Sequence, residues 1–371
     1  MCIRDSTQSF ASPTTEKIIT EFIQKYPNVQ HVIYDSISNS SALDAFENSY
    51  GQRALADYDF SLSNTIISID ADFMSDWQGG NYSSGWSKNR VPNKENEYSM
   101  SYHLQFESNM TLTGANADNR VMANPSELRY VLQSIYLNLT NQKYSGPALG
   151  PYLDRYVKLA VESIKKSGKK AVVISGLDDV DSQEIVLMIN EIIKSDAFDI
   201  SSPRLIYQGS DSELLNTISE LKSGNISGII TAGVNPGYTL PNAEEFSELI
   251  NKLEFSLCFS MKEDETASLC DFIAATPHYL ESWGDYEFKK DFYSLAQLFI
   301  FANWVSEDTK TEELENILRI NCEHLLDKPL SQILFGELLL NLLEAMRPFN
   351  LYLDNDCLLY TSDAADEGLG V

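Results

Sequence analysis

The chain has 371 residues, 54 acidic against 27 basic side chains and a formal charge of −27. Hydrophobic residues make up 43%, with 12 Pro and 18 Gly, the composition of a globular protein rather than a disordered one. So negative a chain repels phosphate backbones, which argues against nucleic acid as a partner. No stretch approaches the ~20 apolar residues of a membrane-spanning helix.

Both ends read as translated sequencing adaptor. The codons TGT-CTC-TTA-TAC-ACA-TCT encode Cys357 to Ser362, and their reverse complement in a shifted frame encodes Met1 to Asp5 and opens a Ser codon. Residues 1–6 and 357–371 are therefore expected to be adaptor artefact that packs on nothing, with Thr7 to Asp356 as the natural part. Removing Asp363, Asp366 and Glu367 brings the charge from −27 to −24. Cys258, Cys270 and Cys322 remain after trimming, with no CxxC pair among them. His31, His103, His278 and His324 are scattered, without an HExxH grouping, and each reads as structural. Neither an iron–sulfur cluster nor a zinc site is expected from these residues.

Short apolar runs alternate with helical patterns, the signature of a doubly wound α/β architecture. His31–Tyr34 reads as a strand and Ser41–Ser49 as a helix approaching Gly51. Asn64–Ile69 is a β-branched strand ending at Asp70-Ala-Asp72, and the Gly-, Ser- and Asn-rich stretch from Trp77 to Asn96 reads as a long loop. Tyr102–Phe106 is the next strand, followed by a helix from about Ser126 to Leu139. Tyr144-Ser-Gly-Pro147 breaks the pattern, so a first α/β unit is expected over 7–147 and a second over 148–297.

In the second unit, Leu153, Val157, Val161 and Ile164 share one face of a helix over Tyr152–Lys166, capped by Gly168. Ala171–Ser175 is a buried-type strand, Ser182–Lys194 a helix and Ser227–Thr231 another strand. Asn242 and Glu245 form a capping box for a helix over Ala243–Leu253, and Phe255–Phe259 and Asp271–Ala274 are short strands.

Ligands of open α/β sheets bind at strand carboxyl ends. Two such ends carry polar groups here: Asp70-Ala-Asp72 and Asn235-Pro236-Gly237. Asp70 and Asp72 are placed to hold a metal or work as an acid–base pair, or else to cap loops and helix ends. Asn235–Gly237 is a turn that also offers backbone amides to a phosphate, though no GxGxxG or GxxxxGK[ST] accompanies it. Ser36, Ser38, Ser40 and Ser41 precede a helix without a G-x-S-x-G elbow, so no nucleophile is legible.

Eight motifs run in order: Ala54–Asp59, Ser68–Phe73, Arg90–Pro92, Gln105–Asp118, Asn235–Tyr238, Glu265–Thr266, Cys270–Asp271 and His278–Asp285. Together they resemble the molybdopterin-oxidoreductase superfamily, and more closely the B subunit of alternative complex III, over roughly residues 30–297. The resemblance implies two Rossmann-like doubly wound units of the formate dehydrogenase/DMSO reductase type. In cofactor-bearing relatives an acidic residue at the position of Glu107 reads a guanine edge, and the loop around Asn235 approaches the pterin dinucleotide. Relatives place a Cys, selenocysteine or Ser ligand of molybdenum near Ser36–Ser41, a stretch that holds no Cys here.

The resemblance further implies a scaffold domain that kept the fold and lost the cofactor, in a respiratory quinol-oxidising complex. No catalytic residue, metal ligand or bound cofactor is then expected. Asp70, Asp72, Glu107, Thr113, Asn235, Pro236 and Gly237 mark a vestigial site around one crevice, filled by Phe73, Trp77, Tyr238 and Trp283. Iron–sulfur clusters are implied in a further C-terminal domain. The implied partners are a membrane-integral quinol-binding subunit and haem c subunits, on the periplasmic side of the inner membrane. A fragment of a catalytic molybdopterin oxidoreductase and a two-lobed solute-binding protein are the competing readings. Residues 298–356 depart from the family pattern and read as a divergent or mis-assembled helical tail.

Overall fold

The computed structural model describes residues 3–92, 100–143, 146–279, 282 and 284–296. Trp283, Cys322 and the segments 298–356 and 357–371 lie outside the described residues. Among the described residues, 3–276 with 285–294 belong to one compact unit.

The first half runs β1 (Ile3–Thr7), α1 (Pro13–Lys25), β2 (Val29–Ile33), α2 (Ser40–Tyr50), β3 (Leu55–Tyr58), β4 (Thr65–Ile69), α3 (Ser83–Lys88), β5 (Tyr102–Glu107), α4 (Leu112–Ala115), β6 (Asn119–Met122), α5 (Pro125–Leu139) and α6 (Pro151–Ser167). It continues with β7 (Ala171–Ser175), α7 (Val180–Ile193), β8 (Phe198–Arg204), α8 (Asp211–Lys222), β9 (Gly228–Ala232), α9 (Pro236–Thr239), α10 (Ala243–Ile250), β10 (Phe255–Ser260), β11 (Phe272–Ala275), β12 (Gly284–Lys289) and β13 (Phe292–Ala296).

The architecture is α/β with two parallel sheets and a third, four-stranded sheet of order β13-β12-β8-β3, in which β8 runs antiparallel to β3 and β12. One parallel sheet has the order β6-β5-β4-β7. Every residue of β4 and β7 is buried, as expected for strands covered on both faces. Ile67, Leu104 and Val173 pack against Leu128, Leu132, Val157 and Ile164, while Ile66, Val172 and Ile174 pack with Phe46, Phe60 and Phe73. Strand β7 is the sheet edge, and α7 completes its hydrogen bonding. The fully buried Asn190 side chain accepts from the Val173 N–H at 3.0 Å and donates to the Val173 carbonyl at 2.7 Å. That arrangement leaves no orphaned peptide there and blocks further strand addition.

The other parallel sheet has the order β11-β10-β9-β1-β2. Strand β1 lies inside it, next to the edge strand β2, paired residue for residue with Val29–Ile33 on one side and Gly228–Ala232 on the other. Residues 1–6 were expected to pack on nothing, and the structure differs. A parallel ladder is made by backbone groups, so the slot accepts Ile-Arg-Asp-Ser-Thr despite its polar side chains. The cost appears at those side chains. Arg4 is buried and pairs with Glu220, and Asp5 is buried in the middle of the sheet.

Three further expectations are corrected. The division at 147/148 cuts through a sheet, because β7 pairs with β4 and α6 lies beside α5. The long loop from Trp77 contains α3, held where Asn89 Nδ2 donates to the Ser61 carbonyl at 2.6 Å and the Ser63 carbonyl at 3.0 Å. The Asn242 side chain makes no capping bond, because Glu245 is drawn instead to Lys222 at 2.9 Å. A Glu carboxylate accepting from the helix-start backbone does occur at α5, where Glu127 Oε2 takes the Asn124 N–H at 2.9 Å.

Burial pushes the Asp5 carboxyl up to about 6. The folded state thus binds this proton more tightly than the unfolded chain. Its stabilising contribution is complete below pH ~4 and is lost as the pH rises through about 6. Asp5→Asn should therefore stabilise the fold by about 2 kcal/mol at pH 7 and by almost nothing at pH ~4. Urea denaturation at the two pH values checks this, and an equal effect at both would contradict the buried placement of Asp5.

Candidate functional site

The carboxyl ends of β7, β4 and β5 are locked side by side. The Asp70 N–H donates to the Phe106 carbonyl at 2.7 Å, and the Gly176 N–H donates to the Ile69 carbonyl at 2.8 Å. Asp70 adopts a left-handed φ of 57°, which turns the chain out of the sheet. A β-carbon at position 176 would collide with the Asp70 carbonyl, so glycine is required there. Burial raises the Asp70 carboxyl above the usual range, opposed by a hydrogen bond from the Ser108 backbone and reinforced by the Glu107 charge.

Glu107 ends β5 with its side chain fully buried. Its carboxylate accepts from Thr111 Oγ1 at 2.6 Å, from the Thr111 N–H at 3.3 Å and from Gln105 Nε2 at 3.4 Å. It also pairs with the Arg120 guanidinium from β6. A side chain at Gly114 would strike this carboxylate. Asp72 faces the same turn: its Oδ1 accepts from Thr113 N at 3.0 Å and from Thr113 Oγ1 at 2.5 Å. Thr113 Oγ1 in turn accepts from the Met74 N–H at 3.0 Å. Both carboxylates are held by the protein's own donors.

Inward from Glu107, the network assigns a tautomer. Gln105 Nε2 donates to the Ala71 carbonyl and to Glu107, which leaves Gln105 Oε1 to accept from His103 Nε2 at 3.2 Å. His103 Nδ1 is thus a bare acceptor without a partner; the buried Trp86 Nε1–H, a donor, and the Ser101 hydroxyl also lack one. Burial lowers the His103 pKa to about 4, so the ring is neutral at pH 7.

Asp70, Asp72, Glu107 and Thr113 lie together at these strand ends. The loop at Asn235 belongs to the other parallel sheet. Asn235 Oδ1 accepts from Thr266 N at 3.1 Å and Oγ1 at 2.7 Å, and its Nδ2 donates to Glu265 at 2.7 Å. The Gly237 N–H donates to Thr266 Oγ1 at 2.9 Å, and Pro236 is buried at the start of α9. Sequence reading missed Arg120, Thr111 and the Gln105–His103 pair. A lone Arg thirteen positions after an acidic strand end was the available signal.

Phe73 is fully buried against Phe60 and His103, and the half-buried Trp77 donates from Nε1 to the Ser175 carbonyl at 3.1 Å. Tyr238, expected to fill the crevice, is 71% exposed instead, because α9 presents it to solvent. The space remaining beside Trp77 is a cleft of about 60 Å³ lined by Ser38, Asn39, Gln78, Gly176, Asp178 and Gln183. Ser38 donates to Asp211 at 2.8 Å, and Ser40 accepts from the Asp211 N–H at 3.2 Å. A separate cleft of about 420 Å³ lies beside α1, lined by Phe10, Ile23, His31, Arg53 and Leu205 among others. Among the described residues, no three His, Cys, Asp or Glu side chains are grouped to hold a metal ion, and no helix is long and apolar enough to cross a membrane.

No family profile matches the chain. The fold is similar to that of acetylene hydratase from Pelobacter acetylenicus, a molybdopterin enzyme, at a TM-score of 0.54 and 11% identity. That match covers 80% of this chain and 52% of the other, so the chain spans about half the length of that structure. The likeness is one of fold alone: α/β with parallel sheets. A second likeness is to the probable protein kinase UbiB of Azotobacter vinelandii, 40% identical over 84 residues. That stretch is 22% of this chain and 16% of the kinase. The corresponding protein of Enterobacter sp. is 44% identical over 64 residues, 17% of this chain and 12% of its own.

Gly114→Ala should destabilise the unit by about 2–3 kcal/mol through overpacking against Glu107. In Glu107→Ala the carboxylate is gone, so adding Gly114→Ala should cost much less. Denaturation of the two single variants and the double variant measures this coupling, and strictly additive losses would contradict the contact.

Proposed function

We propose that residues 7–297 are a scaffold domain without a cofactor in a respiratory quinol-oxidising complex of the alternative complex III type. The observation that carries this reading is the engagement of Glu107 and Asp72. These strand-end carboxylates, which the family resemblance sets beside a cofactor, are satisfied by Thr111, Arg120 and Thr113. Phe73 and Trp77 occupy the space behind them, and the cleft that remains is far below the 300–1,000 Å³ of an ordinary ligand site. Supporting it are the ordered motifs and the fold likeness to a molybdopterin enzyme.

On this reading two Rossmann-like units persist as structure, and electrons pass through iron–sulfur clusters carried on a further domain. A membrane-integral quinol-binding subunit and haem c subunits are the partners, at the periplasmic face of the inner membrane. The same fold likeness also favours a second reading, a fragment of a catalytic molybdopterin oxidoreductase. Asn235–Gly237, in the other parallel sheet, would then be its second contact with the cofactor.

The kinase likeness is proposed to take in the tail beyond residue 297, where the sequence leaves the family pattern; its 84 residues exceed the 74 that follow 297, so it reaches back before that point. Two unrelated likenesses in one chain fit a join in that region. Long-read sequencing of the source DNA should then find the segments on either side of the join on separate genes, whereas one continuous reading frame would contradict the join.

The two functional readings separate on metal content. Purified from a host that makes molybdenum cofactor, the chain should contain neither molybdenum nor pterin by elemental analysis and pterin fluorescence. Equimolar molybdenum with pterin would overturn the scaffold reading in favour of the enzyme.

A further inference from the structure

We propose that the cleft beside α1 binds a small organic ammonium ion with an apolar body, its charge toward Glu16 and its body along Phe10, Ile19 and Ile23. The cleft shares no lining residue with the strand-end site, and the inference is independent of the respiratory reading.

The start of α1 is fastened to β12. Asp285 accepts from Ser12 Oγ at 2.6 Å, from the Thr14 N–H at 3.0 Å and from Thr14 Oγ1 at 2.7 Å, and the Glu287 N–H donates to the Ala11 carbonyl at 2.6 Å. Beyond that anchor the helix stands off the sheet. Ile19, Phe22 and Ile23 recur at helical spacing, yet no residue of α1 is buried. The space left beside it is the cleft of about 420 Å³, within the 300–1,000 Å³ of an ordinary ligand site. Phe10, Ile19, Ile23, Ile33 and Leu205 give it apolar walls. The Phe10 and His31 rings meet there, their centroids 6.0 Å apart.

Charge selects the ligand. Arg53 lines the cleft, but its guanidinium is committed elsewhere. It pairs with Asp44, reaches Glu47 at 3.2 Å and donates to the Gln208 and Gly209 carbonyls at 3.3 and 2.5 Å. An anionic ligand would have to break those bonds in a chain of charge −27. His31 Nε2 lies 2.8 Å from Thr7 Oγ1, and burial holds the ring below its usual pKa, so it is neutral at pH 7. Two carboxylates line the same space. Glu287 Oε1 accepts from the Asp291 N–H at 2.8 Å and supplies fixed charge. The Glu16 carboxylate has no partner among the described residues, and Thr20 stands one turn further along the same face of α1. An ammonium ion brings the donors that Glu16 lacks, and the face of the Phe10 ring attracts the same charge.

Phenethylamine, phenethyl alcohol and phenylacetate share one apolar body and differ in charge, and each is titrated into the full chain at pH 7 by calorimetry. Phenethylamine should bind saturably at one site, about tenfold tighter than the alcohol, and phenylacetate should not bind. Glu16→Gln should weaken the amine about fivefold and leave the alcohol unchanged. Glu21→Gln, on the same helix but outside the cleft and beside Lys17, should change neither. Thr20→Trp, at an exposed position, should fill the mouth and abolish binding of both. Equal affinity for the three probes, or no saturable binding of the amine, would overturn the proposal. So would equal losses in Glu16→Gln and Glu21→Gln, or undiminished binding in Thr20→Trp.

Discussion

The buried carboxylate of Glu107 fixes the end of the larger core on which the site depends. A charge with no exposed surface is tolerated only where donors surround it, and here they come from three different elements. Thr111 at the start of α4, Gln105 on β5 and Arg120 on β6 all converge on it. Satisfying this one group sets the path of the β5–β6 connection. It also forbids a side chain at Gly114 and places Thr113 where it meets Asp72 from β4.

The same interaction explains why the strand ends are closed. In an open parallel sheet the carboxyl ends offer unfilled backbone groups and room for a ligand. Here the chain folds back over its own ends. Gly176 lies against Asp70, Phe73 turns inward onto Phe60, and Trp77 takes the Ser175 carbonyl as its partner. The polar residues at these strand ends are bonded to one another and to their neighbours.

Local patterns made much of the β6-β5-β4-β7 sheet legible. Thr65–Ile69 and Ala171–Ser175 are β-branched and apolar at nearly every position, because both faces of those strands are buried. Asp70 and Asp72 were legible from their place after a strand, and Glu107 and Thr113 through the family resemblance. The other parallel sheet was harder to read for a physical reason: parallel pairing is not local, and β1 meets β9 more than two hundred residues away. Nothing in Ile-Arg-Asp-Ser-Thr marks an interior strand, since Arg4 and Asp5 are costly to bury and only the backbone ladder recommends them. The Pro147 region likewise looked like a boundary, but a break in local pattern says nothing about whether β7 will return to β4. For Asn235, composition revealed the turn and not its partner, Thr266, which is distant in sequence.

The central claim is that the strand-end site is closed by the protein's own side chains. A crystal structure of the chain from a molybdenum-replete host tests it most directly. The account predicts Glu107 bonded to Thr111 and Arg120, Trp77 on the Ser175 carbonyl, and only water-sized density in the cleft by Ser38. Continuous density for a pterin dinucleotide, with Trp77 displaced and Glu107 turned toward it, would contradict the account.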